Sequence, residues 1–337
     1  MLRRATFTGE NWIARFGRLL DKAPSRQFNI LYDSLVNAVR DEIPASVARI
    51  CAKAIAVETS PERQRITLSN DETISARLVV LANGLNVGLR QMLGIERKIV
   101  SPCHSISIGF DIFPVSRPAF AFPALTYFSE RPSDRIPYLT LFSVGNRMRA
   151  NLFVYRGMDD PWLREFRLAP VKTLNAALPR LAYITGAFAI PGEIKIRPVD
   201  LYVNTGFLRP GIVLVGDAFE STCPVSGTGT DKVFTDVERL CNIHIPAWLT
   251  TEGMDETKVS AFYNDPVKKA CDAWSIAKAY QFRLVSIDDA LRFRAQRWAR
   301  FFAWLGRGLL RRLFNSLTGA PRFHAASSSS SSLSSSA

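Results

Sequence analysis

The 337-residue chain contains no run approaching the roughly 20 apolar residues of a membrane-spanning helix. Its opening, MLRRATFTGENWIARFGRLL, interrupts any leader-like apolar core with charge, which argues against secretion. Five cysteines (Cys51, Cys103, Cys223, Cys241 and Cys271) are scattered without a C-x-x-C pair, which excludes a disulfide framework and a cysteine zinc site. The three histidines, His104, His244 and His324, have no partner spacing and read as structural or exposed residues rather than catalytic ones. Compartment and composition together point to the cytoplasm. Acidic residues are absent after Asp289, where Arg292, Arg294, Arg297, Arg300, Arg307, Arg311, Arg312 and Arg322 accumulate. The net charge of +13 therefore sits mainly in one tail. With no recognisable nucleic-acid module beside it, this excess does not indicate nucleic-acid binding.

Length and an apolar content of 47% allow about two domains with buried cores. FNILYDSLVNAVRDEI places Phe28, Leu31, Leu35 and Val39 three or four apart and predicts an amphipathic helix. ASVARICAKAIAVETS and RQRITLSNDETISA read as short strands with a polar turn at Asn70 and Asp71. Leu78 to Ala82 is a continuous apolar run of the kind covered on both faces in a parallel sheet, left sharply at Asn83-Gly84. From Ser101 to about Val203, alternating segments such as HSISIGFDIF, YLTLFSV and MRANLFVYR predict an antiparallel sheet, with a turn at Gly145-Asn146 and one helix, PVKTLNAALPRL.

The stretch GIVLVGDAFESTCPVSGTGTDKVFTDVERL, residues 211–240, returns to a buried-strand pattern and then opens a helix near Thr230. Ligands of open α/β sheets bind at the carboxyl ends of the strands, where this one carries Gly216 and Asp217. Asp217 is placed to accept hydrogen bonds from ligand hydroxyls. The helix mouth leaves backbone N–H groups unpaired, Gly227 and Gly229 let a ligand approach them, and the dipole there favours negative charge. Such a site suits a hydroxylated, partly anionic ligand. Cys223 beside Pro224 reads as a small buried residue.

This stretch resembles the second flavin motif of the FAD-dependent monooxygenases related to p-hydroxybenzoate hydroxylase, in which a strand ends in G-D-A and a Pro-containing loop leads to a G-x-G helix mouth. Gly216, Asp217, Ala218, Pro224, Gly227 and Gly229 carry the match. LVVLANGLNVGLRQMLGI is similar to the family's other internal motif through Ala82, Gly84, Arg90, Leu93, Gly94 and Ile95. The sheet-like residues between the two motifs correspond to an inserted substrate domain. The resemblance implies that Asp217 binds the ribityl hydroxyls of FAD. It further implies that the backbone from Gly227 through Thr228, Gly229 and Thr230 to Asp231 meets the pyrimidine end of the flavin ring. Asn83, Gly84 and Arg90 are the cofactor residues implied by the first motif, although the family usually has Asp where Asn83 stands, and Glu220 and Asp231 hold positions often occupied by His and Asn.

The family opens with a G-x-G-x-x-G turn that holds the FAD pyrophosphate, and nothing before Phe28 supplies one. The expectation is thus a chain similar to the family minus roughly its first hundred residues, binding FAD weakly or not at all by itself. The fold class expected is α/β: an N-terminally incomplete FAD/NAD(P)-binding Rossmann-like domain with an inserted antiparallel β-sheet substrate domain and a C-terminal helical tail. The boundaries read as a partial FAD-binding domain over 1–100, the substrate domain over 101–203, a return over 204–250, C-terminal helices over 251–316 and a disordered Ser-rich tail over 317–337. The implied activity is hydroxylation of a small hydrophobic or aromatic substrate with NAD(P)H as reductant, and the family chemistry leaves no catalytic base to be named. Alternatives on the same scaffold are a flavin-dependent reductase or halogenase, or a non-catalytic membrane-associated remnant. A helix over 292–314 would set Trp298, Phe302, Leu305, Leu309 and Leu313 opposite Arg297, Arg300, Arg307 and Arg311, the pattern either of peripheral contact with the cytoplasmic face of a membrane or of a docked helix with solvated arginines.

Overall fold

The computed structural model describes residues 6–7, 10–24, 28–144 and 147–318. The expected turn at Gly145-Asn146 and the Ser-rich tail from 319 onward lie outside the described residues. Short strands β1 (Thr6–Phe7) and β4 (Phe28–Asn29) pair with each other, while β2 (Glu10–Arg15) and β3 (Arg18–Pro24) form a hairpin between them. Helix α1 spans Tyr32–Asp41, and β5 (Ala54–Glu58), β6 (Gln64–Leu68) and β7 (Thr73–Ala76) make a three-stranded antiparallel sheet. Asp71 turns that sheet with a φ of 65°, within the expected Asn70-Asp71 turn.

Strand β8 (Val79–Leu81) and helix α2 (Gly88–Met92) lead into β9 (Glu96–Pro114), the longest strand. It belongs to a large sheet with β10 (Ala124–Phe128), β11 (Tyr138–Val144), β12 (Arg147–Val154), β13 (Phe188–Ala189) and β14 (Lys195–Thr205). The β2–β3 hairpin, far earlier in sequence, joins this sheet because β2 pairs in parallel with β10. Alternation along β9 explains the core: Ile106, Ile108, Phe110 and Ile112 are at most 1% exposed on one face. Three helices cover that face, α3 (Pro161–Leu168), α4 (Pro170–Ala177) and α5 (Leu181–Thr185), through Leu163, Phe166, Leu174 and Leu181. A single helix was expected here. Pro161 and Pro170 both occupy first helical positions, and Pro170 forces the chain to break between α3 and α4.

Strand β15 (Ile212–Leu214) pairs in parallel with β8 and is wholly buried. It is followed by α6 (Gly229–Arg239), a π-helical turn over Leu240–His244, α7 (Ile245–Leu249), α8 (Glu256–Tyr263), α9 (Pro266–Ile287) and α10 (Leu291–Thr318). The expectation that the Leu78–Ala82 run is covered on both faces is corrected. Leu81 is buried in one cluster with Trp248, Met254 and Phe262, whereas Val80 is 40% exposed although its partner Val213 on β15 is fully buried, because β8 has no further strand on its other side among the described residues.

Helix α10 turns most of its ring face outward, and it buries one of the arginines expected opposite that face. Phe293, Arg297 and Phe301 face the body, while Trp298, Phe302, Leu309 and Leu313 face outward. Arg297 is buried because its guanidinium donates to Val285 O and Asp288 O, filling carbonyls that the end of α9 leaves unpaired. Gly308 lies directly on β3, where a Cβ would collide with Leu20 O, and Arg311 pairs with Asp21 at 2.9 Å.

Candidate functional site

The carboxyl ends of β8 and β15 bring the two sequence motifs together. After Val215 the chain makes a 3-10 turn over Gly216–Ala218, with Gly216 at a φ of 57° that suits glycine. Its carbonyls are firmly held. Arg90 Nη1 donates to Ala218 O at 2.7 Å, Tyr202 Oη to Asp217 O at 2.6 Å, and Asn204 Nδ2 to Ala218 O at 2.6 Å and Phe219 O at 2.9 Å. Gly216 N–H donates to Asp236 Oδ2 at 2.8 Å. Arg90 is 1% exposed and binds Asn86 O with its other arm, so it joins the first motif to the second through backbone.

Asp217 is partly buried. Burial raises its pKa, and the Thr222 N–H and hydroxyl, Lys232 and Arg90 offset that only in part. The loop continues through a 3-10 turn over Pro224–Ser226 to Gly227, whose φ of 69° ends the turn. A hydroxyl chain ties the loop down: Ser226 Oγ donates to Cys223 O at 2.7 Å, Ser226 and Thr228 hydroxyls lie 2.9 Å apart, and Thr228 and Ser275 hydroxyls 2.7 Å apart. Thr228 therefore points inward, and Gly216 and Ala218 are buried, while Pro224, Gly227 and Thr230 are exposed at the mouth of α6 and Gly229 is half-buried. No side chain caps that helix mouth.

Across the gap, both amide atoms of Asn83 are buried without a hydrogen-bond partner, and Gly84, at a φ of 55°, has open space where a Cβ would sit. Gly227 likewise faces open space. A cavity of about 520 Å³, lined by Arg90, Arg97, Gln91, Glu96 and Asn204, adjoins this region. The site offers an acceptor for hydroxyls, a helix mouth without a side-chain cap, an unsatisfied amide and open space beside Gly84 and Gly227. Among the described residues no strand-to-helix turn has the G-x-G-x-x-G spacing.

Beneath the turn lies a charge network that motif reasoning did not find. Lys232 pairs with Glu220 at 3.6 Å and also with Asp272, and Lys268 pairs with Asp236 at 2.8 Å and Asp272 at 3.1 Å. Lys232, Asp236 and Lys268 are at most 1% exposed. Burial and the neighbouring Asp272 raise the Glu220 carboxyl despite Lys232. Burial works against the Lys232 ammonium, but Glu220, Asp272 and Asp236 outweigh it and raise its pKa. The available signal was helical spacing, since Lys232 and Asp236, and Lys268 and Asp272, stand one turn apart. Cys223 is 1% exposed with its thiol pushed up by burial, and His104 is fully buried with its imidazole pushed down by burial and Arg283. His244 is engaged by Asp265 at 3.0 Å. Both histidines have structural partners; His324 lies outside the described residues.

A parallel strand pair carrying a glycine-acid turn into a helix mouth, beside an inserted antiparallel sheet, defines a flavin-binding class of α/β protein. The FAD binding domain family matches residues 55–252, and the chain belongs to it. A 3-demethoxyubiquinol 3-hydroxylase of Escherichia coli K12 is 26% identical over 217 residues, covering 60% of this chain and 49% of the relative, so the match spans about half of that protein. Solved structures share the fold. They include a p-nitrophenol 4-monooxygenase, PnpA, from Pseudomonas putida (TM-score 0.65, 15% identity, 93% of this chain and 81% of that one). HpxO of Klebsiella pneumoniae complexed with FAD and uric acid has a TM-score of 0.59, 14% identity and coverage of 94% and 82%. The halogenase PltM gives 0.62, 14%, 94% and 68%.

Proposed function

We propose that this chain forms the ribityl and ring end of the FAD site of a monooxygenase that hydroxylates a small hydrophobic or aromatic substrate, with NAD(P)H as reductant. The observation that carries this reading is the convergence of Asp217, the uncapped mouth of α6 and the unsatisfied Asn83 amide around open space at the carboxyl ends of two parallel strands. Bound FAD supplies the electron transfer and oxygen activation. Asp217 accepts hydrogen bonds from ribityl hydroxyls, and the backbone of Gly227 to Thr230 meets the ring edge where reduction places negative charge. Arg90, Tyr202 and Asn204 act as positioning residues by holding the turn that carries Asp217. On the other side of the loop, Cys223 and Val225 pack with Phe153 and Tyr155 into a dry apolar wall, which keeps water from the substrate side.

The test is a fluorescence titration of FAD with the purified full chain, followed by addition of NADH or NADPH. Because no G-x-G-x-x-G turn precedes Phe28 to hold the pyrophosphate, weak but saturable quenching is expected, with bleaching of the bound flavin absorbance by a nicotinamide, and absence of both would overturn the reading. Asp217→Asn, losing a charge-assisted acceptor, should weaken FAD roughly 10- to 100-fold without loss of fold by circular dichroism.

The outward stripe of α10 supports a second element of the proposal, peripheral contact with the cytoplasmic face of a membrane. Trp298, Phe302, Leu309, Leu310 and Leu313 are each at least half exposed, with the exposed Arg307 and Arg312 on the same helix. No helix among the described residues is long and apolar enough to cross a membrane. Cosedimentation with anionic phosphatidylglycerol vesicles, weakened by Phe302→Glu and by added salt, is the expected result; binding unchanged by either would remove this element.

A further inference from the structure

A second cleft lies away from the turn at Asp217, between the β2 end of the large sheet and helices α9 and α10. It is a small cleft of about 30 Å³ that opens to solvent. Four guanidiniums line it, those of Arg15, Arg131, Arg297 and Arg300. Two are already engaged: Arg131 binds Asp134 at 2.9 Å, and Arg297 binds Asp289 and the end of α9. Arg15 and Arg300 have no carboxylate in ion-pair distance among the described residues, although Arg15 is only 8% exposed and its Nε has no acceptor. Instead the Arg15 guanidinium lies 3.8 Å from the centroid of the Phe128 ring.

Leaving a buried cation uncompensated is among the costlier arrangements in a protein, and placing a second one beside it adds repulsion. Burial, then Arg300, draws the Arg15 pKa down to about 10, and burial draws Arg300 down as well. Apart from Ser129 and Ser286 the remaining lining is apolar and includes Phe128, Ile136, Phe282 and Val285. A cleft of this size admits the oxygens of an anionic head and not a whole molecule, whose remainder lies toward its open side. The apolar walls then suit the body attached to that head.

We infer that this cleft is a binding site for a small organic anion, whose oxyanion head, carboxylate or phosphate, sits between Arg15 and Arg300 and whose apolar body lies against Phe128, Phe282 and Val285. Planar guanidiniums favour such heads because paired N–H groups match paired oxygens. The cleft communicates with the flavin-side loop through one ring: Phe282 packs on Tyr138, and the Tyr138 hydroxyl donates to Val225 O at 2.8 Å. Binding itself is independent of flavin and is measured without it.

Isothermal titration calorimetry of the full chain uses benzoate and phenyl phosphate as anionic probes and benzyl alcohol as a neutral one of similar size. Saturable binding of at least one anion, roughly tenfold or more tighter than benzyl alcohol, is expected, and the better anion identifies the head group. Arg300→Gln should weaken that binding roughly tenfold or more while the thermal midpoint stays constant or rises, since it relieves repulsion on Arg15. Arg15→Gln serves as the second variant, and the same loss with a native circular dichroism spectrum is expected. Equal binding of benzyl alcohol, binding of neither anion, or anion binding unchanged in Arg300→Gln overturns the inference.

Discussion

The large sheet and the parallel strand pair solve opposite problems. On the sheet, β9, β10, β11 and β12 turn alternate side chains onto α3 to α5, and the resulting core is almost purely apolar. Around β8 and β15 the apolar core is smaller, and next to it the chain buries Asp236, Lys232 and Lys268 and leaves Val80, Val233, Phe234 and Val237 exposed. The first region gains stability from apolar area, at about 25 cal/mol per Å². The second fixes a turn by carbonyl and ion contacts, which stabilise little in net terms but become costly when one partner is removed. A region of the first kind makes a scaffold; one of the second kind holds a ligand-facing loop in one shape.

The sharpest way to break this contrast is to remove one group from each side. Phe166→Ala, in the apolar core, should cost about 4 kcal/mol in urea unfolding, with little change between pH 5 and 8, because only packing is lost. Lys268→Met should cost about 3 kcal/mol at neutral pH by stranding the buried Asp236 and leaving Asp272 to Lys232 alone, and this loss should shrink at acidic pH where the stranded charge is neutralised. Equal pH dependence in the two variants would erase the distinction.

The smallest effect expected is at Asp265. Burial opposes its ionisation, but Arg239, the Lys268 and Val267 N–H groups and His244 outweigh burial and draw its pKa down to about 2. A depressed carboxyl pKa contributes stability that is present above its unfolded value near 4 and is lost as pH falls toward 2. Asp265→Asn should therefore leave a shallower acid limb between pH 4 and 2 in thermal melts, with the N-cap of α9 retained by the amide. An acid limb identical to that of the unsubstituted chain would discount the pair with Arg239. Asp217 and Glu220 act with the opposite sign, since both are raised: their contribution is greatest below the unfolded carboxylate range and falls away as pH rises.

Much of the first region was legible in sequence because period-2 alternation is a local property. HSISIGFDIF and MRANLFVYR lie on β9 and β12 as read, paired through Ile108 and Leu152. The participation of β2 and β3 was not legible, since a parallel pairing between residues more than a hundred positions apart leaves no trace in either strand. The orientation of α10 was left open by the sequence for a related reason. A helix with rings on one side and arginines on the other does not say which side docks, and here the unpaired carbonyls closing α9 captured Arg297.

For the candidate site, sequence by itself determined the chemical inventory: a strand ending in Gly216-Asp217, a helix mouth at Gly227 and Gly229, and an Asn83-Gly84 exit, because each is a short contiguous pattern tied to backbone geometry. Only the tertiary structure decided how these parts are held. Arg90 reaches the carbonyls of residues more than 120 positions away, Thr228 turns inward to Ser275, and five charged side chains from separate segments close into one buried network. Such contacts depend on which groups lose water together when the segments pack, and that is a property of the assembled interior rather than of any stretch of chain.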